Sequence, residues 1–163
     1  MTTSFYLIAT TKLEELLVNA EITVKKSLFG KKVTDNYWNY LAGNAAELPN
    51  FDGPGYIYGN LLVYLEEQKN IDLTTNEYGL IAKELIEKRG NAHFLFTNTQ
   101  RLRFSDQLDP GRYSLAEVQQ FNKDFSEEGD VETAVLTVDA IRVLRNNLNK
   151  VENNQQLLLL VIG

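Results

Sequence analysis

The sequence predicts an α+β fold: a single compact domain in which a small mixed β-sheet packs with several helices and ends in a buried C-terminal strand. The main observation is an uninterrupted apolar run at residues 157–162, whose length and polar flanks are typical of a strand buried on both faces. Between the strand candidates, apolar residues recur mostly at helical spacing. A chain of 163 residues is about one domain long, so residues 1–163 are assigned to one domain.

Two further short apolar segments, residues 6–9 and 93–97, predict strands. Chain ends fray unless an element holds them, so the terminal strand is expected to pair beside one of these two. Residues 22–33 alternate weakly around four lysines and predict a hairpin or an exposed loop with Gly30 in its turn.

Local start and stop signals predict the helices. A Thr or Ser followed three residues later by Glu, the capping-box pattern, precedes three of the apolar stripes. Asp35 can cap a short aromatic helix at residues 37–41 that Gly43 would end, and Gly90 is a second stop signal. Four sets of apolar residues share one face of a predicted helix: Leu13, Leu16 and Leu17; Leu80, Ile81, Leu85 and Ile86; Val118, Phe121 and Phe125; and Ile141, Leu144 and Leu148. The second and fourth sets are predicted to be buried.

Composition limits the compartment and the chemistry. The chain has no cysteine, which excludes disulfides and zinc–thiolate sites and fits a reducing cytosol. Its first residues lack the basic segment of a secretory signal, and its terminal apolar run is far shorter than the about 20 residues that span a bilayer. The net charge of −6 disfavours general affinity for nucleic acid or anionic membranes. We therefore expect a soluble cytoplasmic protein with no nucleic-acid and no membrane partner.

Candidate catalytic and metal-ligating residues are few. His93 is the only histidine and lies in a predicted strand with no nucleophile nearby in sequence, so a structural role is favoured over a catalytic one. Residues 124–132 place oxygen-bearing side chains and a glycine as a calcium-binding EF-hand loop does, but Val135 stands where a bidentate glutamate should close the site. An acidic turn between helices is favoured there. No catalytic residue, metal site or cofactor is predicted.

Two other patterns match binding motifs only in part. The glycines within residues 53–59 lack the Lys-Ser or Lys-Thr pair of a phosphate-binding loop, so tight turns are favoured. Lys25, Lys26, Lys31 and Lys32 form a basic cluster that locally resembles a nucleic-acid-binding arm. Because the whole chain is acidic, a solvated face or an edge strand protected by lysines is favoured.

The densest group of candidate binding residues surrounds the proline- and glycine-rich loop at residues 49–55. Tyrosine and tryptophan combine a large contact area with a polar tip and are enriched at interfaces. A recognition surface or ligand groove is therefore predicted, with a local core that packs the loop down as the alternative. The candidate binding residues are Tyr37, Trp38, Tyr40, Phe51, Asp52, Tyr56, Tyr58 and Arg101, with Tyr64, Asp35 and Arg103 as further candidates.

Several segments together resemble the YfbM-like family of small bacterial proteins. They are the opening strand and helix at residues 4–17, the short aromatic helix at residues 36–41, the helix start at residues 113–118 and the ending at residues 144–163. The resemblance implies a compact single α+β domain and brings no activity with it. Where the family often has a histidine, this chain has Ala42.

The leading functional hypothesis is a non-catalytic bacterial cytoplasmic protein that binds a protein partner. It depends on the acidic composition, the aromatic cluster and the lack of a catalytic pattern. The alternative is a small-molecule binder or hydrolase-like enzyme with a site around the aromatic loop, where a deep pocket would unite Trp38, Asp52 and either His93 or Arg101.

Overall fold

A computed structural model describes residues 2–27 and 30–163 and confirms the α+β class. A four-stranded sheet has the order β4-β1-β6-β5, and a separate two-stranded sheet pairs β2 with β3. Every pairing in the larger sheet is antiparallel, whereas the sequence led us to expect a mixed sheet. The strands are β1 (Thr3–Ala9), β2 (Thr23–Ser27), β3 (Gly30–Thr34), β4 (Ala45–Leu48), β5 (Ala92–Thr97) and β6 (Gln156–Ile162).

The apolar C-terminal strand occupies the interior of the sheet. β6 pairs with β1 on one side and with β5 on the other, so Leu159 lies between Tyr6 and Leu95. The expected pairing with the segments at residues 6–9 and 93–97 is confirmed, and it involves both of them. Because both edges of β6 are hydrogen-bonded, its backbone donors and acceptors are satisfied without water.

Side-chain alternation along the strands builds two cores on opposite faces of the sheet. In β6, Leu158 and Leu160 belong to the first core, whereas Leu157 and Leu159 belong to the second. An apolar run on both faces is what a strand between two helical layers requires, since neither face meets water.

The helices divide between the two faces. In the described residues they are α1 (Leu13–Asn19), α2 (Tyr37–Asn44), α3 (Tyr56–Lys69), α4 (Gly79–Arg89), α5 (Asn98–Phe104), α6 (Leu115–Ser126) and α7 (Val131–Leu148). Helices α3, α6 and α7 place buried residues in the first core, whereas α1, α2 and α4 cover the second.

Three helices differ from the sequence-based expectation. The stripe on α4 is narrower than predicted, since Leu85 is buried but Leu80 is 83% exposed. The sequence predicts the last helix from Val138 to about Val151, but α7 begins at Val131. The Asp130 side chain accepts hydrogen bonds from the Thr133 backbone N–H and hydroxyl and caps the helix there. Helix α5 was not predicted, although Thr97 and Gln100 form a complete capping box at its start.

The expected hairpin is confirmed as β2 and β3, which pair only with each other. It connects α1 to α2, the two helices that cover part of the second core. Gly30 opens β3 with a φ of +141°, and residues 28–29 lie outside the described residues. We call the segment of β2 and β3 that carries Lys25, Lys26, Lys31 and Lys32 the lysine hairpin.

Candidate functional site

The larger sheet separates the predicted aromatic cluster into two groups. Tyr37 and Tyr40 belong to the second core, whereas Phe51, Tyr56 and Tyr58 belong to the first. Strand β4 lies between α2 and the loop, so it carries the chain from one face of the sheet to the other. The aromatic residues are close in sequence but lie on opposite faces of the sheet, so they do not form one site.

On the first-core side, the loop aromatics pack the loop onto the domain. Phe51 and Phe5 both meet the Tyr58 ring edge-on, each at 5.4 Å between ring centroids. The Tyr58 hydroxyl donates a 3.0 Å hydrogen bond to the Ala140 carbonyl oxygen, and burial raises the pKa of Tyr58. The Phe51 ring lies so close to Gly53 that a Cβ there would come within 2.4 Å of it. The loop aromatics therefore form the local core that the sequence offered as the alternative to a recognition surface.

On the second-core side, Tyr37 is the centre of a polar network. Asp35 accepts two 2.8 Å hydrogen bonds from Arg89, and that guanidinium lies 4.7 Å from the centre of the Tyr37 ring. The Tyr37 hydroxyl donates to Nε2 of His93, because Nδ1 of His93 donates to the Asn91 carbonyl oxygen. The network ties the start of α2 to the end of α4 and to β5.

His93 has the surroundings of a structural histidine. It is only 1% exposed, and both ring nitrogens have protein partners. Burial lowers the pKa of His93, the Asn91 carbonyl partly opposes this, and the positive charge of Arg89 lowers it further. A neutral, sealed imidazole has no access to a substrate, so the geometry does not give His93 a role in acid–base chemistry.

The pocket expected to unite Trp38, Asp52 and His93 or Arg101 is not formed. Trp38 is exposed on the second-core side, where it meets the Tyr37 ring edge-on, and Asp52 is exposed beside the first core. Nε of Arg101 donates to the Asn98 side chain within α5. Arg103, the other basic candidate, lies over the ring of its neighbour Phe104.

A groove with a volume of about 410 Å³ lies between α3 and α6. We call it the acidic groove. Aromatic rings, carboxylates and two glutamines line it. The residues that define it are Tyr64, Phe121 and Phe125, with Glu67, Glu117 and Asp124.

The aromatic surface of the acidic groove is partly bare. Phe121 and Phe125 stack with ring centroids 5.3 Å apart, and Tyr64 meets Phe121 at 5.1 Å. Phe125 is nevertheless 49% exposed, which is unusual for so large an apolar side chain. The Tyr64 hydroxyl is buried, with the Lys69 ammonium as its polar neighbour. The groove thus presents apolar area to water.

The electrostatics of the acidic groove are negative. None of the described residues that line it is basic. At its edge, Lys69 lies 3.1 Å from Glu117 and also over the rings of Tyr64 and Tyr113. Burial opposes the charge on Lys69, but its hydrogen bond to Glu117 raises the net pKa. Among the residues that the structure describes, Glu67 forms no ion pair and Asp124 accepts hydrogen bonds only from the neutral Gln120. Two carboxylates are therefore left without a counter-charge.

Sequence reasoning found α6 but not the groove. Glu117, Phe121 and Phe125 recur every four residues, as do Gln120 and Asp124, so they share one side of the helix. That mixture of acids and aromatics on one face was the available signal. The sequence predicts Val118, Phe121 and Phe125 on one face of the helix, and of these three only Val118 is fully buried.

The segment at residues 124–132 does not form a calcium loop. Its first three residues belong to α6, and Asp130 is occupied as the N-cap of α7. Within the described part of the chain, no group of three or more His, Cys, Asp or Glu side chains is arranged to hold a metal ion. The acidic turn favoured from the sequence is what the structure shows.

A search for a bilayer-spanning helix, made over the described residues, finds none that is both long and apolar enough. Comparison with protein-family models, with curated proteins and with solved structures returns no match. The site must therefore be interpreted from its own geometry.

Proposed function

We propose that this protein is a non-catalytic binding protein that holds a cationic, partly apolar segment of a protein partner in the acidic groove. The observation that carries the proposal is the combination of bare aromatic area with carboxylates and no lining cation. Such a surface complements a segment that alternates basic and apolar side chains, because the aromatic rings take up the apolar groups and the carboxylates attract the cations.

The remaining polar clusters support binding rather than catalysis. The His93 network is sealed by Tyr37 and Asn91, and the loop aromatics are used for packing. A site around the loop for a small molecule or a hydrolytic reaction stays a prediction that no observation favours.

The setting of this function is part of the proposal. A bacterial cytoplasm agrees with the cysteine-free composition and with the resemblance to the YfbM-like family. The tested activity, however, depends only on the acidic groove.

The test uses a fluorescein-labelled synthetic peptide of alternating lysine and valine, with an alternating glutamate and valine peptide as its counterpart. Fluorescence anisotropy at low salt should show saturable binding of the basic peptide alone. Affinity should fall as salt is added, because exposed charge pairs are screened. Binding of both peptides alike, or of neither, would contradict the proposal.

Variants locate the binding. The double variant E67K/D124K should lower the affinity for the basic peptide by about tenfold or more, since two attractive charge interactions become repulsive. The control E66K/D106K makes the same change in net charge at exposed acids outside the groove and should change affinity far less. Phe125→Ala should also weaken binding while leaving the melting temperature nearly unchanged, because Phe125 is half exposed. Equal losses in the groove variant and in the control would place the peptide elsewhere.

A further inference from the structure

The lysine hairpin has two distinct faces. Val24 pairs with Val33 and Lys26 pairs with Lys31, and because these pairs are two residues apart they lie on the same face. Lys25 and Lys32 pair on the opposite face. One face is thus an apolar pair beside a basic pair, and we call it the valine face.

The four lysines carry charge that the chain does not neutralise. Among the residues that the structure describes, no carboxylate lies within ion-pair distance of them. Like charges directly opposite each other destabilise a ribbon. Both valines are also largely exposed, Val24 at 45% and Val33 at 56%. An acidic, partly apolar surface placed against this ribbon would relieve the repulsion and cover the valines.

The acidic groove has the complementary chemistry. It offers an exposed aromatic side chain, Phe125, next to Glu67 and Asp124, which lack counter-charges. We propose that the partner segment in the acidic groove is the lysine hairpin of a second copy of this chain, seated through its valine face. This inference rests on the proposed function, since it names the occupant of the same groove.

The fold makes the contact one between copies. The hairpin joins two helices that cover the second core, whereas α3 and α6 lie over the first core, on the other side of the sheet. A hairpin therefore does not reach the groove of its own chain. Each copy offers a hairpin on one side and a groove on the other, so the contact is heterologous and assembles copies head to tail.

The first measurement is sedimentation velocity of the full chain over a range of protein concentrations at low and high salt. The wild type should form head-to-tail oligomers at low salt and dissociate as salt is added. K26Q/K31Q, on the valine face, should weaken self-association by about fivefold or more. K25Q/K32Q makes the same change in net charge on the opposite face and should weaken it clearly less. Equal effects of the two pairs would overturn the valine-face assignment.

The second measurement is complementation. K26Q/K31Q keeps its groove and E67Q/D124Q keeps its hairpin, so each alone should stay mostly monomeric at a concentration where the wild type assembles. A mixture should give a complex of one copy of each and no longer chain, because only one hairpin and one groove remain intact. A mixture that stays monomeric, at concentrations where the wild type assembles, would overturn the inference.

The outcomes separate this inference from the function on which it rests. If the basic peptide binds the groove but the wild type stays monomeric at the highest attainable concentration, the second copy is excluded and the groove serves another partner. If the chain assembles through its hairpin but the peptide ignores the groove and E67Q/D124Q assembles like the wild type, the proposed function fails and the seating of the hairpin in the groove fails with it. Salt-sensitive binding of a DNA duplex that K26Q/K31Q abolishes, without self-association, would assign the hairpin to nucleic acid and overturn the inference.

Discussion

The hydroxyl of Tyr37 lies 2.8 Å from Nε2 of His93 and donates a hydrogen bond to it, which joins α2 to β5 within the second core. The backbone carbonyl of Asn91 accepts from Nδ1, so the imidazole is held in one neutral tautomer. The only histidine of the chain is therefore a structural residue, and its surroundings lead to predictions about stability.

Tyr37→Phe should lower the free energy of unfolding by about 1–3 kcal/mol. The change removes one oxygen atom and leaves Nε2 of His93 buried without a donor, which costs its desolvation. Tyr40→Phe is the matched control, because it removes a hydroxyl from the same helix. That hydroxyl donates to Lys12 and Glu15 at a partly exposed position. Urea unfolding monitored by circular dichroism measures both variants. Equal losses of unfolding free energy in the two variants would show that the hydrogen bond to His93 stabilises the fold no more than an exposed one does.

Stability should fall as the pH drops from 7 to 5, and His93 should account for part of the fall. Burial lowers the pKa of His93 in the folded state, so between its folded and unfolded pKa values the unfolded chain binds more protons. The stabilisation is complete above the usual histidine range and is lost as pH falls through it. His93→Gln replaces the imidazole with a polar amide that does not titrate, so the stability of this variant should depend less on pH in that window. Parallel profiles for wild type and variant would contradict the assignment.

Asp35→Asn should destabilise the protein by about 2 kcal/mol. The Arg89 side chain is only 7% exposed. The change removes the carboxylate that accepts hydrogen bonds from both of its terminal nitrogens. The hydrogen bond from Arg89 also lowers the pKa of Asp35, as expected for a group that favours the charged form. Glu87→Gln breaks an exposed pair with Lys83 on the same helix and should cost about 0.5 kcal/mol or less. Thermal unfolding of the two variants checks the contrast.

Much of the fold could be predicted because its signals are local. A run apolar on both faces, such as residues 157–162, identifies a strand between two layers, and Gly90 ends α4 in the left-handed conformation that favours glycine. Strand direction was not predictable in the same way, since a connection containing a helix allows either parallel or antiparallel pairing. The expected mixed sheet was wrong for that reason.

The candidate site was harder to predict than the fold. Tyr37 and Tyr58 are only 21 residues apart in sequence, but the sheet lies between them. Helical spacing placed Phe125 correctly on the side of α6 that carries Val118. Spacing does not tell whether a neighbouring element covers the last turn of a helix, and at Phe125 none does so fully.

Lys69→Gln should tighten binding of the basic peptide by about two- to fivefold. Lys69 is the cation at the edge of the acidic groove, and its removal frees Glu117 to attract the peptide. Lys83→Gln is the control, because it makes the same change in net charge on α4, far from the groove. Anisotropy titrations at low salt compare the two. Weaker binding by the Lys69 variant, with its fold intact, would mean that Lys69 contacts the peptide rather than opposing it.

Deletion of residues 159–163 should unfold the domain rather than shorten a tail. The deletion removes the inner part of the hydrogen-bonded ladder on both edges of β6 and takes apolar side chains from both cores. Circular dichroism should show no cooperative thermal transition for the truncated chain. Leu159→Ala provides a milder test, because the side chain is fully buried opposite Tyr6 and Leu95 and its loss should cost about 2–5 kcal/mol. Leu102→Ala, at a largely exposed position, should cost far less. A truncated chain that kept its cooperative melt would contradict the central place of β6.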